Sequence, residues 1–183
     1  MIAEILVIGA LPLLLLGAAC WDLASFTIPN FINVAVIAMF PLFALAAELP
    51  LAAVGIHLLA GFIGLAIGFA LFALGYIGGG DAKLFAGIAL WIGFADLISY
   101  ALLASVFGGI LTLALLMLRQ WPLPGVLSRQ PWILKLHDAR SGVPYGVALA
   151  AGAFVLLPHT EIFRLAVGAN NILFARAIFT ARI

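Results

Sequence analysis

Long uninterrupted apolar runs are the feature that most constrains how this chain can fold. Several of them reach seventeen residues or more, and at about 1.5 Å of rise per residue a helix of that length crosses the ~30 Å hydrocarbon core of a bilayer. Charged residues make up only 8% of the sequence, whereas a soluble globular domain carries roughly 25%. The sequence therefore predicts an all-α, polytopic membrane protein.

Six apolar segments are predicted to be transmembrane helices. The fourth and fifth come from one run of 35 residues, 84–118, which is far too long for a single crossing. We expect this run to fold back near Gly93 to Asp96, so that the fourth helix is short and its first residue, Asp81, lies at membrane depth. The predicted segments are residues 3–21, 31–47, 51–77, 81–95, 97–118 and 143–158.

The rest of the chain is predicted to form one loop and a tail. Residues 119–142 carry four basic side chains and are expected to be a cytoplasmic loop within a transmembrane domain of residues 1–158. The tail, residues 159–183, contains polar residues whose burial in the hydrocarbon core would cost free energy. It predicts an amphipathic helix at the membrane interface, with a seventh span as the alternative. The positive charges of Lys83 and the loop indicate that both are cytoplasmic and that the N-terminus is outside. No basic residue precedes the first apolar run, as a cleaved signal peptide would require, so we expect this run to stay in the protein as a membrane anchor.

Composition and spacing exclude several classes of function. The net charge is +1 and no basic cluster occurs, so no nucleic-acid partner is expected. A single cysteine, Cys20, and three scattered histidines leave no set of zinc ligands, so no metal is expected. Ser105 and His57 share no recognisable catalytic setting, and His57 is interpreted as a packed or interfacial residue. No phosphate-binding loop occurs, and no cofactor is expected.

Two aspartates at the ends of predicted helices carry the functional argument. Asp22 ends the first segment and Asp81 begins the fourth, and the chain crosses the membrane twice between them. An even number of crossings puts both carboxylates on the same side, so they can meet although 59 residues separate them. An ionisable residue in the membrane costs roughly 2.5 kcal/mol or more at the bilayer centre, and by default it marks a functional site.

Two close carboxylates in a medium of low dielectric constant are suited to peptide hydrolysis. Both cannot ionise together, so one keeps its proton while the other is charged. The ionised member takes a proton from a water, the water attacks the scissile carbonyl, and the protonated member donates to the developing oxyanion. This chemistry needs neither a metal ion nor a covalent intermediate.

The residues around the aspartates allow a functional and a structural interpretation. Gly78 to Gly80 present no side chains to an approaching peptide and offer N–H groups that can pair with it. Alternatively, these glycines form a flexible helix entry that Asp81 caps, and Asn30 is only the N-cap of the second segment. The glycines of the third segment, including the Gly64-x-x-x-Gly68 pair, are interpreted as positions of close helix packing.

Three short stretches resemble motifs of the type IV prepilin peptidases. The stretch from Asp22 to Asn30, which ends in Ile28-Pro29-Asn30, resembles their first-aspartate motif. The stretch Gly78-Gly79-Gly80-Asp81-Ala82-Lys83-Leu84 resembles their Gly-x-Gly-Asp motif with its following lysine. Pro144-Tyr145-Gly146 is similar to the family's Pro-Tyr/Phe-Gly element. The three stretches occur in the expected order between positions 22 and 148.

The resemblance implies an intramembrane aspartic endopeptidase of the bacterial inner membrane that removes the cytoplasmic leader of pilin precursors. Asp22 and Asp81 would be the catalytic pair, and the pilin precursor and membrane lipid would be the partners. The role of Lys83 and the oligomeric state stay open. The other matched positions are implied motif or substrate-approach residues: Ile28, Pro29, Asn30, Gly78, Gly79, Gly80, Lys83, Pro144, Tyr145 and Gly146.

The sequence departs from the pattern of many relatives in two places. Larger members also N-methylate the new pilin terminus and carry paired Cys-x-x-Cys, which this chain lacks. The resemblance therefore implies a peptidase without methyltransferase activity, like the minimal enzymes that serve Flp-type pili. Many relatives have arginines just after the first aspartate, where Ala24 and Ser25 stand here, so the predicted orientation depends on the later loop.

Two other classes of function stay open at this point. A small proton-coupled transporter would use Asp22 and Asp81 as proton carriers, and it would predict polar residues through the midplane of several helices. Such residues are scarce apart from His57 and Thr112. A non-catalytic membrane component of pilus assembly is the second alternative.

Overall fold

A computed structural model describes residues 1–168, and all regular structure in that range is helical. The predicted all-α class is thereby confirmed. The first helix contains a π-helical stretch, Ile5–Ala10, within an otherwise continuous element. The helices are α1 Ile2–Ser25, α2 Asn30–Ala46, α3 Leu51–Ala73, α4 Gly79–Ile92, α5 Leu97–Leu118, α6 Pro131–His137, α7 Tyr145–Leu156 and α8 Glu161–Gly168.

Three of the described helices are long and apolar enough to cross a membrane, which is fewer than the six that we predicted. These are α1, α3 and α5, with 24, 23 and 22 residues. A fourth is obtained only if Tyr145–His159 and Glu161–Gly168, which are bent by 53° relative to each other, count as one span. At 17 and 14 residues, α2 and α4 fall short of the ~20 that a span needs. Six transmembrane helices are therefore not confirmed.

The predicted fold-back between the fourth and fifth segments is confirmed. Helix α4 ends at Ile92, α5 begins at Leu97, and Gly93 adopts a φ of +84° at the end of α4. The third segment ends earlier than predicted, because the chain leaves the helix after Ala73 and turns through Gly75 at a φ of +78°. Both turns use the left-handed backbone conformation that glycine adopts without steric cost.

Close packing of α3 against α4 fixes the position of the second aspartate. A Cβ added at Gly64 would lie 2.7 Å from the Cβ of Ala89, and one added at Gly68 would lie 2.9 Å from the carbonyl oxygen of Ala82. The interpretation of these glycines as packing positions is thus confirmed. Helix α3 continues for five residues beyond Gly68, and α4 begins three residues before Ala82, at Gly79. At about 1.5 Å per residue, α3 therefore extends roughly 3 Å beyond the start of α4.

Helix α4 lies at the centre of the bundle, and every residue from Leu84 to Ile92 is buried. Its Trp91 ring packs against Phe40 and Phe43 of α2, and the indole N–H donates a 2.8 Å hydrogen bond to the carbonyl oxygen of Val36. On the other side, α4 contacts α5 and α7. A helix that is apolar on all faces is stable only when other helices surround it, which accounts for its central place.

The loop after α5 contains a short helix, and Arg119 fixes the loop to the bundle. The Arg119 guanidinium donates to the carbonyl oxygens of Leu136 and Gly142, at 3.0 and 2.7 Å. Of the predicted amphipathic tail, the structure describes only the beginning, with α8 over Glu161–Gly168. Residues 169–183 lie outside the described part of the chain.

Candidate active site

The first aspartate lies in the last turn of α1. The chain leaves this helix through Phe26, whose φ of +58° is left-handed and whose N–H donates to the carbonyl oxygen of Asp22 at 2.7 Å. This C-terminal turn ends the helix, and residues 27–29 connect it to α2. The side chain of Asp22 is only 2% exposed, so the carboxylate lies inside the protein rather than at its surface.

The second aspartate lies in the first turn of α4. One carboxylate oxygen of Asp81, Oδ2, accepts a 3.0 Å hydrogen bond from the N–H of Gly78. Oδ2 of Asp81 therefore does cap the start of α4, as the structural interpretation predicted. The other oxygen, Oδ1, is buried and has no hydrogen-bond partner within residues 1–168. A cap alone does not account for this second oxygen, because a buried carboxylate oxygen without a partner is costly.

The two carboxylates line the same two cavities, so the aspartates lie at the same end of the bundle. The larger cavity is about 400 Å³ and includes Tyr76 and Tyr145 in its wall, and the smaller is about 260 Å³. Asp22 and Asp81 are close enough to interact electrostatically. The site is thus a partly open space with polar and apolar walls at the ends of α1 and α4, large enough to hold a water and part of a polypeptide.

Gly146 supplies the backbone donor for the first aspartate. As the second residue of α7 it has a first-turn N–H that no helical carbonyl satisfies, and this N–H donates to Oδ2 of Asp22 at 2.7 Å. The approach is possible only for glycine, because an added Cβ would lie 2.9 Å from that oxygen and 2.8 Å from Cδ1 of Ile28. Each carboxylate is therefore oriented by an N–H group at the start of a helix.

Three contacts join the segment after Asp22 to the segment that carries Asp81. The ammonium group of Lys83 donates to Oδ1 of Asn30 at 2.8 Å, and the side-chain amide of Asn33 donates to the carbonyl oxygen of Gly80 at 3.3 Å. A Cβ added at Gly80 would lie 3.1 Å from the backbone nitrogen of Ile28. Lys83 thus has a structural partner, and Gly80 packs against Ile28.

The interpretation of Asn30 as the N-cap of the second helix is wrong. The cap position belongs to Pro29, and no side chain caps the first turn of α2. Asn30 is the first helical residue, and its side-chain oxygen accepts from Lys83. The physical reason is that this ammonium group, which lies in α4, competes for the oxygen more strongly than a neutral backbone N–H does.

We expect Lys83→Ala and Asn30→Ala each to lower the free energy of unfolding by about 1 kcal/mol, because each breaks the same exposed charge-assisted hydrogen bond. The double variant is expected to lose little more than the less stable single variant. Thermal unfolding of the four proteins in one detergent measures this coupling as a double-mutant cycle. Strictly additive losses would show that the two side chains do not act as a pair.

Sequence reasoning missed two residues beside the first aspartate, Phe26 and Lys135. The ammonium group of Lys135 comes from α6 in the loop, donates to the carbonyl oxygen of Ser25 at 2.6 Å, and lies 5.1 Å from the centroid of the Phe26 ring. It also interacts electrostatically with Asp22. Phe26 lines both cavities. The only sequence signal was a positive charge in the loop, and 110 residues separate Lys135 from Ser25.

The histidine and serine that were considered as alternatives are engaged elsewhere. His57 is buried, its Nδ1 lies 2.8 Å from the carbonyl oxygen of Leu90, and its ring packs on Phe40, which confirms the interpretation as a packed residue. The hydroxyl of Ser105 donates to the carbonyl oxygen of Ala101 in its own helix. Within residues 1–168, no three His, Cys, Asp or Glu side chains come together as metal ligands.

The remaining predicted site residues lie around the two cavities. Gly78 and Gly79 line the smaller cavity together with Gly80. Tyr145 lines the larger one, and its ring packs against α5 at Gly108. Pro144 is the residue that precedes α7. The three stretches that were singled out in the sequence therefore meet at one site.

A comparison with family models supports the resemblance seen in the motifs. The model described as the type IV leader peptidase family matches residues 9–113, which is more than half of the chain. The matched stretch contains both Asp22 and Asp81, whereas Lys135 and Gly146 lie beyond it. Comparisons with curated proteins and with solved structures gave no match.

Proposed function

Because the chain belongs to the type IV leader peptidase family, we propose that it is an intramembrane aspartic endopeptidase that removes the leader of a Flp-type pilin precursor. Membership of the family makes it a peptidase and makes a pilin precursor its general substrate. The observation that supports the aspartic mechanism is the pair of buried carboxylates, Asp22 and Asp81, that line one cavity.

In the proposed mechanism the carboxylate pair holds one proton and binds a water between its members. The charged carboxylate takes a proton from this water, and the oxygen of the water forms a bond to the carbonyl carbon of the substrate. The neutral carboxylic acid donates its proton to the carbonyl oxygen, which gives a neutral tetrahedral intermediate. The carboxylic acid formed from the first aspartate then gives its proton to the amide nitrogen, and the carboxylate formed from the second takes a proton from a hydroxyl of the intermediate as the carbonyl re-forms and the C–N bond breaks. The pair thereby returns to its starting state.

Backbone groups prepare the two carboxylates for this reaction. The N–H groups of Gly146 and Gly78 each fix one oxygen of an aspartate, so neither side chain has to be reoriented during the reaction. Oδ1 of Asp81 is buried and has no hydrogen-bond partner among the described residues, so the proposed mechanism assigns the shared proton of the pair to this oxygen.

The proposed setting is the bacterial inner membrane, with the site at the cytoplasmic face. Lys83 and the loop that contains Lys135 lie on the same side as the aspartates, in agreement with the positive charge expected there. The chain has one cysteine, Cys20, so the paired cysteines of the bifunctional members are missing. We therefore propose that the enzyme cleaves the precursor without methylating the product.

Incubation of the purified protein with a Flp-type pilin precursor in detergent or lipid tests the proposal directly. We expect a shorter pilin with a new, unmethylated N-terminus, which mass spectrometry identifies. Addition of a metal chelator is expected to leave the rate unchanged. A precursor that stays intact with the purified, folded protein would contradict the assignment.

The orientation is tested by labelling single cysteines in a Cys20→Ser background. A cysteine at position 129, in the loop, is expected to react with a membrane-impermeant maleimide only after the cytoplasmic side has been opened. A matched cysteine at position 48, in the turn between α2 and α3, is expected to react in intact spheroplasts. The reverse pattern would put the aspartates on the outer side of the membrane.

A further inference from the structure

An apolar groove lies directly beside the larger aspartate cavity, between α3 and α5. Its volume is about 280 Å³. The groove adjoins the aspartate cavity, since Tyr76, Ile77 and Tyr145 line both. Away from these shared residues, the groove is lined by Ile67, Leu71, Phe85, Ala104, Ser105 and Leu149, among others.

The part of the groove that lies away from the aspartate cavity presents almost no unpaired polar groups. Ser105 is its one small hydroxyl residue, and that hydroxyl already donates to the carbonyl oxygen of Ala101 at 2.7 Å. The aspartate cavity next to it contains two carboxylates and several backbone groups. A chain that passes from one space into the other therefore has to change from polar to apolar within a few residues.

We propose that this groove binds an apolar segment of the substrate that directly adjoins the scissile bond. The inference depends on the proposed peptidase function and adds to it a set of residues that determine specificity. Burial of apolar side chains in the groove lowers the free energy of the bound substrate, and the shared wall of Tyr76, Ile77 and Tyr145 sets the next peptide bond beside the aspartates.

The variant Ser105→Trp tests the proposal, because an indole ring at this exposed position fills the groove. We expect cleavage of a full pilin precursor to fall by about tenfold or more, mainly through a higher KM. A short peptide that contains the cleavage junction with polar residues on both sides is expected to be cleaved at the parent rate. The matched control is Ile110→Trp on the same helix, at a position that is 58% exposed and outside the groove.

Photo-crosslinking tests occupancy without depending on cleavage. Benzoylphenylalanine placed at position 105, in an Asp81→Asn background, is expected to crosslink to the precursor, whereas the same group at position 110 is not. Crosslinks from position 105 to lipid alone, or to a second copy of the protein, would overturn the proposal. So would equal cleavage of the full precursor by the parent protein and Ser105→Trp. Absence of cleavage by the parent would instead contradict the proposed function itself.

Discussion

Replacement of either catalytic candidate by asparagine is expected to reduce cleavage of a pilin precursor by about 100-fold or more. Asparagine keeps the shape of aspartate but neither takes a proton from water nor donates an acidic one, and removal of such acid–base catalysis costs ~10²–10⁴-fold. Both Asp22→Asn and Asp81→Asn should behave in this way, because each carboxylate has its own task in the proposed reaction. The measurement is the rate of appearance of the shorter pilin with purified protein.

The control for this experiment is Asp96→Asn. Asp96 lies between α4 and α5, at the opposite end of α4 from Asp81 and outside both aspartate cavities. This variant should cleave at the parent rate, and all three variants should be recovered from the membrane in similar amounts. Efficient processing by the Asp22→Asn, Asp81→Asn double variant would refute the aspartic mechanism.

A single methyl group at Gly146 is expected to have nearly as large an effect. In Gly146→Ala the new carbon would lie 2.9 Å from Oδ2 of Asp22 and 2.8 Å from Cδ1 of Ile28, so the carboxylate, α7 or both must shift. A displacement of about 1 Å in a catalytic arrangement can cost ~100-fold in rate. We expect a loss of about that size in kcat, measured on the same precursor.

The matched control is Gly109→Ala, since a Cβ added at Gly109 meets no other atom within 4 Å. It should cleave like the parent. Thermal unfolding of both alanine variants separates a displaced carboxylate from a protein that has failed to fold. Parent-like cleavage by Gly146→Ala would show that the position of Asp22 does not depend on α7.

From the sequence alone it could be predicted that two aspartates 59 residues apart lie on the same side of the membrane and can meet. The prediction needed only that Asp22 and Asp81 lie at helix ends and that an even number of crossings separates them. This count is insensitive to errors of a few residues at each helix boundary. In the structure both aspartates line the same cavities, although the predicted end of the third segment, Ile77, lies four residues beyond the end of α3 at Ala73.

The parts of the site that depend on backbone groups could not be predicted from the residues. The N–H of Gly146 reaches Asp22 across 124 residues, and a backbone donor has no side chain that a pattern can reveal. Gly146 was singled out only through the family resemblance. Lys135 was missed for a similar reason, since its partner is the carbonyl oxygen of Ser25.

The predicted number of spans was not confirmed, because hydropathy reports how apolar a segment is and not what surrounds it. Helix α4 has only 14 residues and is enclosed by α2, α3, α5 and α7. A helix in such a place buries its apolar residues against protein, so its length need not match the thickness of the bilayer. Apolarity from contact with lipid and apolarity from contact with other helices look alike in a sequence.

The hydrogen bond from Gly146 to Asp22 also bears on the order in which the proposed site is assembled. A nascent chain that has emerged only as far as α4 already contains both carboxylates, yet the donor that orients the first of them has not been translated. Under the proposed mechanism, the arrangement of the two carboxylates is therefore complete only after α7 has joined the bundle.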